Sequence, residues 1–296
     1  MFKGVICPVV TAFDAQGNID YGAQGLIVER LVESGIDGIL FCGSIGEFTS
    51  ICFEEKKTFF KWAVEKVGGR TLVLAGTGGT NVGETLKLNE YCKAIRVDGA
   101  VVMSPHYFLL DERSAYAYYA SVAKMGLPVI LYNFPDRTKM SLSAGLVRSL
   151  ACDFENIAGI KDTVDSMSHT RELIDTVLPV RGDFSILSGF DEYFIPNLMG
   201  GGSGVLSGLT NIMPKTFMEI KAAFGSGDFE KLRALQTKLN KMMKIYTLAS
   251  SFVPAVKYAV HRLIPQAGAS PREPFLPLTQ GECAAIDGLL GENLLI

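Results

Sequence analysis

In "IAGIKDT" (157–163) an apolar run passes directly into Lys161. A lysine is rarely buried unless it is paired, because its ammonium loses hydration. Two readings follow. Either a short strand ends here and Lys161 reaches water, or the lysine is partly desolvated. A desolvated lysine gives up its proton more readily and becomes an amine nucleophile toward a carbonyl. Tyr132, in "YNFPDRT" (132–138), offers a hydroxyl for proton transfer. Together the two suit imine chemistry. The amine attacks a ketone, the carbinolamine loses water, and the protonated imine serves as an electron sink for making or breaking a C–C bond. Further candidates are Ser44 in "GSIGEF" (43–48), Tyr107 in "SPHYF" (104–108), Arg137, "SGFDE" (188–192) and "SGLTN" (207–211). Each alone has an ordinary explanation. Tyr132 could be an amphipathic rim residue, Arg137 a solvated loop arginine, and Asp191 and Glu192 acids in a helix's first turn.

These residues matter only if the elements that carry them converge. Apolar runs of strand length recur along the chain: 4–10, 37–43, 71–77, 99–105, 128–134, 157–162, 184–189 and 202–208. They are short, continuous and aliphatic or β-branched, as strands buried on both faces should be. Helical segments separate them. In one, Leu88, Tyr91, Cys92 and Ile95 follow the i, i+3, i+4, i+7 pattern. Eight strand–helix units at roughly 30-residue spacing predict an α/β fold, a (β/α)8 TIM barrel. An open doubly wound sheet would usually show a G-x-G-x-x-G after its first strand, and "TAFDAQGNID" has none. "GTGGT" (76–80) reads as a tight strand-to-helix turn. Residues 1–225 make the catalytic barrel, and 226–296 make a helical C-terminal extension packed on it. In a barrel, catalytic groups sit at the C-terminal ends of strands. That places Lys161 and Tyr132 on neighbouring strands at one face.

Composition narrows the function. The 296 residues are 48% hydrophobic and 20% charged, with a net charge of −3. Nucleic-acid binding needs a basic surface and is not expected. No apolar run is long enough to span a membrane, and "MFKGVICPVV" reads as a first strand rather than a signal peptide. The six cysteines (7, 42, 52, 92, 152 and 283) form no C-x-x-C pair. We read them as reduced, buried small hydrophobes of a cytoplasmic protein. His106, His169 and His261 lie far apart, and no metal-ligand spacing appears.

The pieces "GSIGEF", "PHYF" (105–108), "YNFP" (132–135) and "GIKDT" (159–163) resemble, in order, those of the dihydrodipicolinate synthase / N-acetylneuraminate lyase superfamily. These are class I, pyruvate-dependent aldolases, and the similarity runs over nearly the whole chain. The resemblance implies that Lys161 is the Schiff-base lysine and Tyr132 the proton-relay hydroxyl. It implies that Ser44 serves both relay and carboxylate binding, and that the backbone amides around Ser44 and Ile45 hold the pyruvate carboxylate. In the synthases, Tyr107 would be lent across a subunit interface. Gly189 and Ser207 match substrate-binding positions. The resemblance also implies a homotetramer that takes pyruvate and an aldehyde and needs neither metal nor organic cofactor.

Four positions bear on which aldolase this is. Synthases usually carry two adjacent hydroxyl residues where this chain has Ser44-Ile45, so Ile45 weakens the synthase reading. Arg137 points the other way, because a synthase arginine here holds the carboxylate of an amino-acid semialdehyde. Asp191 and Glu192 resemble a sialic acid lyase pair that accepts hydrogen bonds from sugar hydroxyls. Their charge also disfavours a phosphate tail. "GIKDTVDS" (159–166) together with "YNFP" looks most like the 2-keto-3-deoxy-sugar-acid aldolases of this superfamily, and the leading expectation that follows is reversible cleavage of a 2-keto-3-deoxy sugar acid into pyruvate and a short hydroxyaldehyde. Dihydrodipicolinate synthase and N-acetylneuraminate lyase are the alternatives within the superfamily. A metal-dependent barrel aldolase or a non-catalytic keto-acid-binding protein are the alternatives outside it.

Overall fold

Eight short apolar strands hydrogen-bond side by side, all parallel, and close into a barrel in chain order. The computed structural model describes residues 2–293. The strands are β1 (Gly4–Pro8), β2 (Gly38–Phe41), β3 (Leu72–Gly76), β4 (Gly99–Met103), β5 (Val129–Asn133), β6 (Ile157–Asp162), β7 (Ser185–Ser188) and β8 (Gly204–Leu206). Around them run α1 (Tyr21–Glu33), α2 (Phe53–Val67), α3 (Val82–Ala94), α4 (Glu112–Ala123), α5 (Pro135–Thr138), α6 (Ala144–Asp153), α7 (Met167–Val177), α8 (Phe194–Met199) and α9 (Pro214–Ser226). Then follow α10 (Phe229–Met242), α11 (Phe252–Leu263) and α12 (Gln280–Glu292). The apolar runs outlast the strands. The first continues to Val10, while β1 pairs only to Pro8.

Strand side chains alternate between two cores. Ile6, Leu40, Leu74, Val101, Ile130, Leu187 and Leu206 fill the barrel interior. Val5, Ile39, Val73, Val102, Leu131 and Ile160 pack outward against the helices. Helix starts are fixed by polar caps. Asp20, Asn81, Asp111 and Ser143 each accept an amide hydrogen bond from the first turn of the helix that follows.

The tail is tied to the barrel at charged and aromatic points. Lys257 on α11 pairs with Glu47 in the loop after β2 at 2.7 Å, and both side chains are buried. The other Glu47 oxygen accepts the Arg272 amide at 2.8 Å. Lys257 and Arg272 both lie against the Phe13 ring, at 4.1 and 4.3 Å.

The cysteine expectation needs correcting. All six are free, but only Cys7, Cys42 and Cys92 are buried. Cys52 and Cys152 are exposed because they sit at the N-cap of α2 and in the last turn of α6, not on core-facing positions. No helix among the described residues is long and apolar enough to cross a membrane. Among the same residues, no cluster of three His, Cys, Asp or Glu side chains is placed to hold a metal ion.

Candidate active site

The β5–β6 register sets Tyr132 directly beside Lys161. Both point into the barrel at its C-terminal end, where Lys161 Nζ lies 4.2 Å from the centre of the Tyr132 ring. Lys161 is only 6% exposed. No carboxylate pairs with its amine among the described residues, so Nζ faces the cavity unengaged. Tyr132 OH is 3.5 Å from Ser44 Oγ, a long contact of the kind that tightens when substrate binds. Ser44 is held there by the "GSIGEF" loop, which turns sharply. Cys42 and Glu47 take left-handed backbone conformations at φ +55 and +57, and such strain concentrates at functional sites.

These groups open into one cavity of about 250 Å³. Ser44, Ile45, Tyr132 and Lys161 line its inner part, and Gly189, Asp191 and Ser207 line the side formed by β7 and β8. Arg137 stands at its edge on α5, beside Asp136. The amide N–H groups of Ser44 and Ile45 take no backbone acceptor among the described residues, which leaves two donors for an anion. Two nominated residues are not brought in. Glu192 does not line the cavity. It lies in the 3-10 turn Asp191–Tyr193, where its carbonyl accepts from Gln236 on α10, and one carboxylate oxygen is buried without a partner. Tyr107 does not reach the cavity of its own chain. It is 83% exposed at φ +91, beside Phe108 and Leu109, which are exposed as well.

Asp191 is the most tightly built of the polar groups. Its Oδ1 accepts the Leu209 amide at 2.9 Å, and its Oδ2 accepts the Tyr246 hydroxyl at 2.6 Å. Burial pushes the Asp191 carboxyl up, against the opposing pull of its hydrogen-bond donors and the Lys161 charge. Burial also drives the Tyr246 phenol well above its ordinary value, helped by the Asp191 charge. Thr163 Oγ1 at the cavity wall is buried without a partner, and Ser207 Oγ there is buried outside hydrogen-bond geometry with any group, near enough to Asp191 to help hold that carboxyl down. A buried hydroxyl left unpaired is costly, so both are poised for a ligand's polar group. Gly189 makes room for one of them, since a side chain there would overlap Thr163 Oγ1.

Sequence reasoning missed Thr163 and the whole contribution of the tail. Met243, Tyr246 and Phe252 close one side of the cavity. Thr163 was within reach of the argument, since it lies two residues past Lys161 on the same strand end. Tyr246 was not, because no local pattern in "KMMKIYTL" says which barrel loop it meets.

The Dihydrodipicolinate synthetase family model matches residues 1–292. A relative from Escherichia coli (strain K12), YagE, provisionally named a 2-dehydro-3-deoxy-D-gluconate aldolase, is 37% identical over 88% of this chain and 86% of its own. The 4-hydroxy-tetrahydrodipicolinate synthase of Aquifex aeolicus is 34% identical over 95% and 92%. The crystal structure of YagE in complex with pyruvate superposes with a TM-score of 0.97, 35% identity and full coverage of both chains. Fold, site and relatives define a carbon–carbon lyase of the class I aldolase type. The chain belongs to the Dihydrodipicolinate synthetase family.

Proposed function

We propose that this protein reversibly cleaves a 2-keto-3-deoxy sugar acid to pyruvate and a short hydroxyaldehyde through an imine on Lys161. The observation that carries the reading is a single cavity. It joins the unengaged Lys161–Tyr132 pair to a wall of groups suited to neutral hydroxyls: Asp191, Ser207 and Thr163. In this account, Lys161 attacks the keto carbon, and Tyr132 hands over the proton that lets water leave the carbinolamine. Tyr132, backed by Ser44, then takes the proton of the C4 hydroxyl as the C3–C4 bond breaks. The bonding electrons pass into the iminium and give an enamine, while the aldehyde departs. Protonation at C3 and hydrolysis release pyruvate and restore the amine. The Ser44 and Ile45 amides hold the carboxylate, which suits a chain with isoleucine at position 45.

Arg137 at the cavity edge favours a second reading, condensation of pyruvate with an amino-acid semialdehyde whose carboxylate the guanidinium would bind. The two are separated by supplying each substrate set. Pyruvate released from 2-keto-3-deoxygluconate supports the first reading. Turnover only with pyruvate and aspartate semialdehyde would replace it with the second. We read Tyr107, Phe108 and Leu109 as docking on another copy of the chain, in keeping with a homotetramer. Six free cysteines fit a reducing compartment such as the cytoplasm.

A further inference from the structure

The alternation that turns Tyr132 and Lys161 into the barrel turns Asn133 and Asp162 out of it. These two are also register partners. Asn133 Nδ2 donates to Asp162 Oδ1 at 3.0 Å, and Asn133 Oδ1 accepts the Leu142 amide at 2.9 Å. Asp162 Oδ2 accepts the Thr170 hydroxyl at 3.1 Å and faces His169 Nδ1 at 3.0 Å. The Asp162 side chain has no exposed surface. On the far side of the ring, His169 Nε2 faces the Leu142 carbonyl at 3.2 Å, with Ser141 Oγ at 3.5 Å.

A carboxylate and a carbonyl can only accept hydrogen bonds. Both contacts are hydrogen bonds only when both ring nitrogens donate, which the imidazolium alone can do; a neutral ring would keep the Asp162 bond, leave the Leu142 carbonyl without this donor and turn Nε2 toward the more distant Ser141 hydroxyl. The buried Asp162 charge, on the face of β6 opposite Lys161, is then balanced by His169. The charged groups bearing on the ring are Asp162 from β6 and Glu172 further along α7. The segment before α6 contributes only the neutral Ser141 and Leu142. The hydrogen bond to Asp162 holds His169 above its ordinary value, with burial opposing it.

We propose that His169 is a positioning residue: as an imidazolium bridging Asp162 and the Leu142 carbonyl, it locks the ends of β5 and β6 so that Lys161 stays against Tyr132. The proposal rests on the reading of Lys161 as the imine lysine. Sequence reasoning passed over this histidine because it lies on α7 while the residues it joins lie on β6 and in the segment before α6.

The test is the rate at which borohydride traps pyruvate on Lys161, measured across pH in the unsubstituted protein and in His169→Gln. Histidine ring nitrogens are followed by 15N NMR over the same range. At pH 7 both ring nitrogens of His169 should carry protons. The trapping rate should fall as pH rises through that ring's titration midpoint. In His169→Gln the pH 7 rate at saturating pyruvate should drop about tenfold, the falling limb should vanish, and half-saturating pyruvate should barely change. A neutral ring at pH 7, or a ring titration that does not coincide with the fall in rate, would overturn the proposal; neither needs a variant that folds. A His169→Gln rate and profile like those of the unsubstituted protein would overturn it too. Absence of any label on Lys161 in the unsubstituted protein would instead overturn the parent reading, and this inference with it.

Discussion

Substituting Lys257 by methionine removes one half of a buried ion pair and leaves the other half stranded. Glu47 has no side-chain exposure and Lys257 has 2%, so solvent cannot compensate. Methionine keeps the side-chain volume, so the loss is that of the charge, including its place over the Phe13 ring. Breaking such a pair from one side costs about 3–5 kcal/mol. At about 2.1 cal/mol/K per residue, the unfolding entropy of a chain of this length lowers Tm by about 5–8 °C for that loss. The pair also pins the loop that carries Ser44 and Ile45, so half-saturating pyruvate should rise in the same variant. The assay is thermal unfolding by circular dichroism for Lys257→Met, Glu47→Gln and the double variant, with pyruvate trapping alongside. The double variant should lose less than the sum of the singles, because neither charge is then buried alone. A Tm shift of under about 1 °C in Lys257→Met, or strict additivity in the double variant, would refute the reasoning.

Three further outcomes are expected. Tyr246→Phe removes the hydroxyl that donates to Asp191, and loss of a hydrogen bond to a charged group is worth about 1.5–3 kcal/mol. Its kcat/KM with a hydroxyaldehyde should fall at least tenfold while pyruvate trapping is unchanged; equal loss in both would contradict the assignment of Tyr246 to the aldehyde half. Gly208→Ala places a methyl group against Ile45 Cδ1 and the Tyr246 hydroxyl, so it should destabilise by about 1–3 kcal/mol and depress turnover. A fully active, equally stable variant would show that the wall yields there. His169 has a raised folded-state value, so its stabilisation is complete below about pH 6.5 and is lost as pH climbs through that raised value. The urea midpoint should therefore fall from pH 6 to pH 9 more in the unsubstituted protein than in His169→Gln, and identical slopes would argue against the pairing.

The barrel was legible because its strands are buried on both faces, which writes each as an unbroken apolar run. Parallel chain order then placed the strand ends on one rim, and that is why Lys161 and Tyr132 could be paired before any coordinates. Legibility stopped where tertiary docking decides. Asp191 and Glu192 are adjacent and chemically alike, yet a 3-10 turn sends one to the cavity wall and keeps the other off it, its carbonyl held by Gln236 of α10. The tail reads only as helical, and nothing local marks Tyr246 or Lys257 as partners of Asp191 and Glu47, 55 and 210 residues away. His169 was set aside because its spacing fits no metal site, while its real partners lie behind the lysine rather than in the cavity.

The account turns on the amine of Lys161. The most direct measurement is borohydride reduction of the protein with pyruvate, followed by peptide mass mapping. The account predicts one reduced pyruvate adduct, on Lys161, absent in a folded Lys161→Ala variant that has also lost turnover. A folded protein with no adduct, or with the adduct on another lysine, would contradict it.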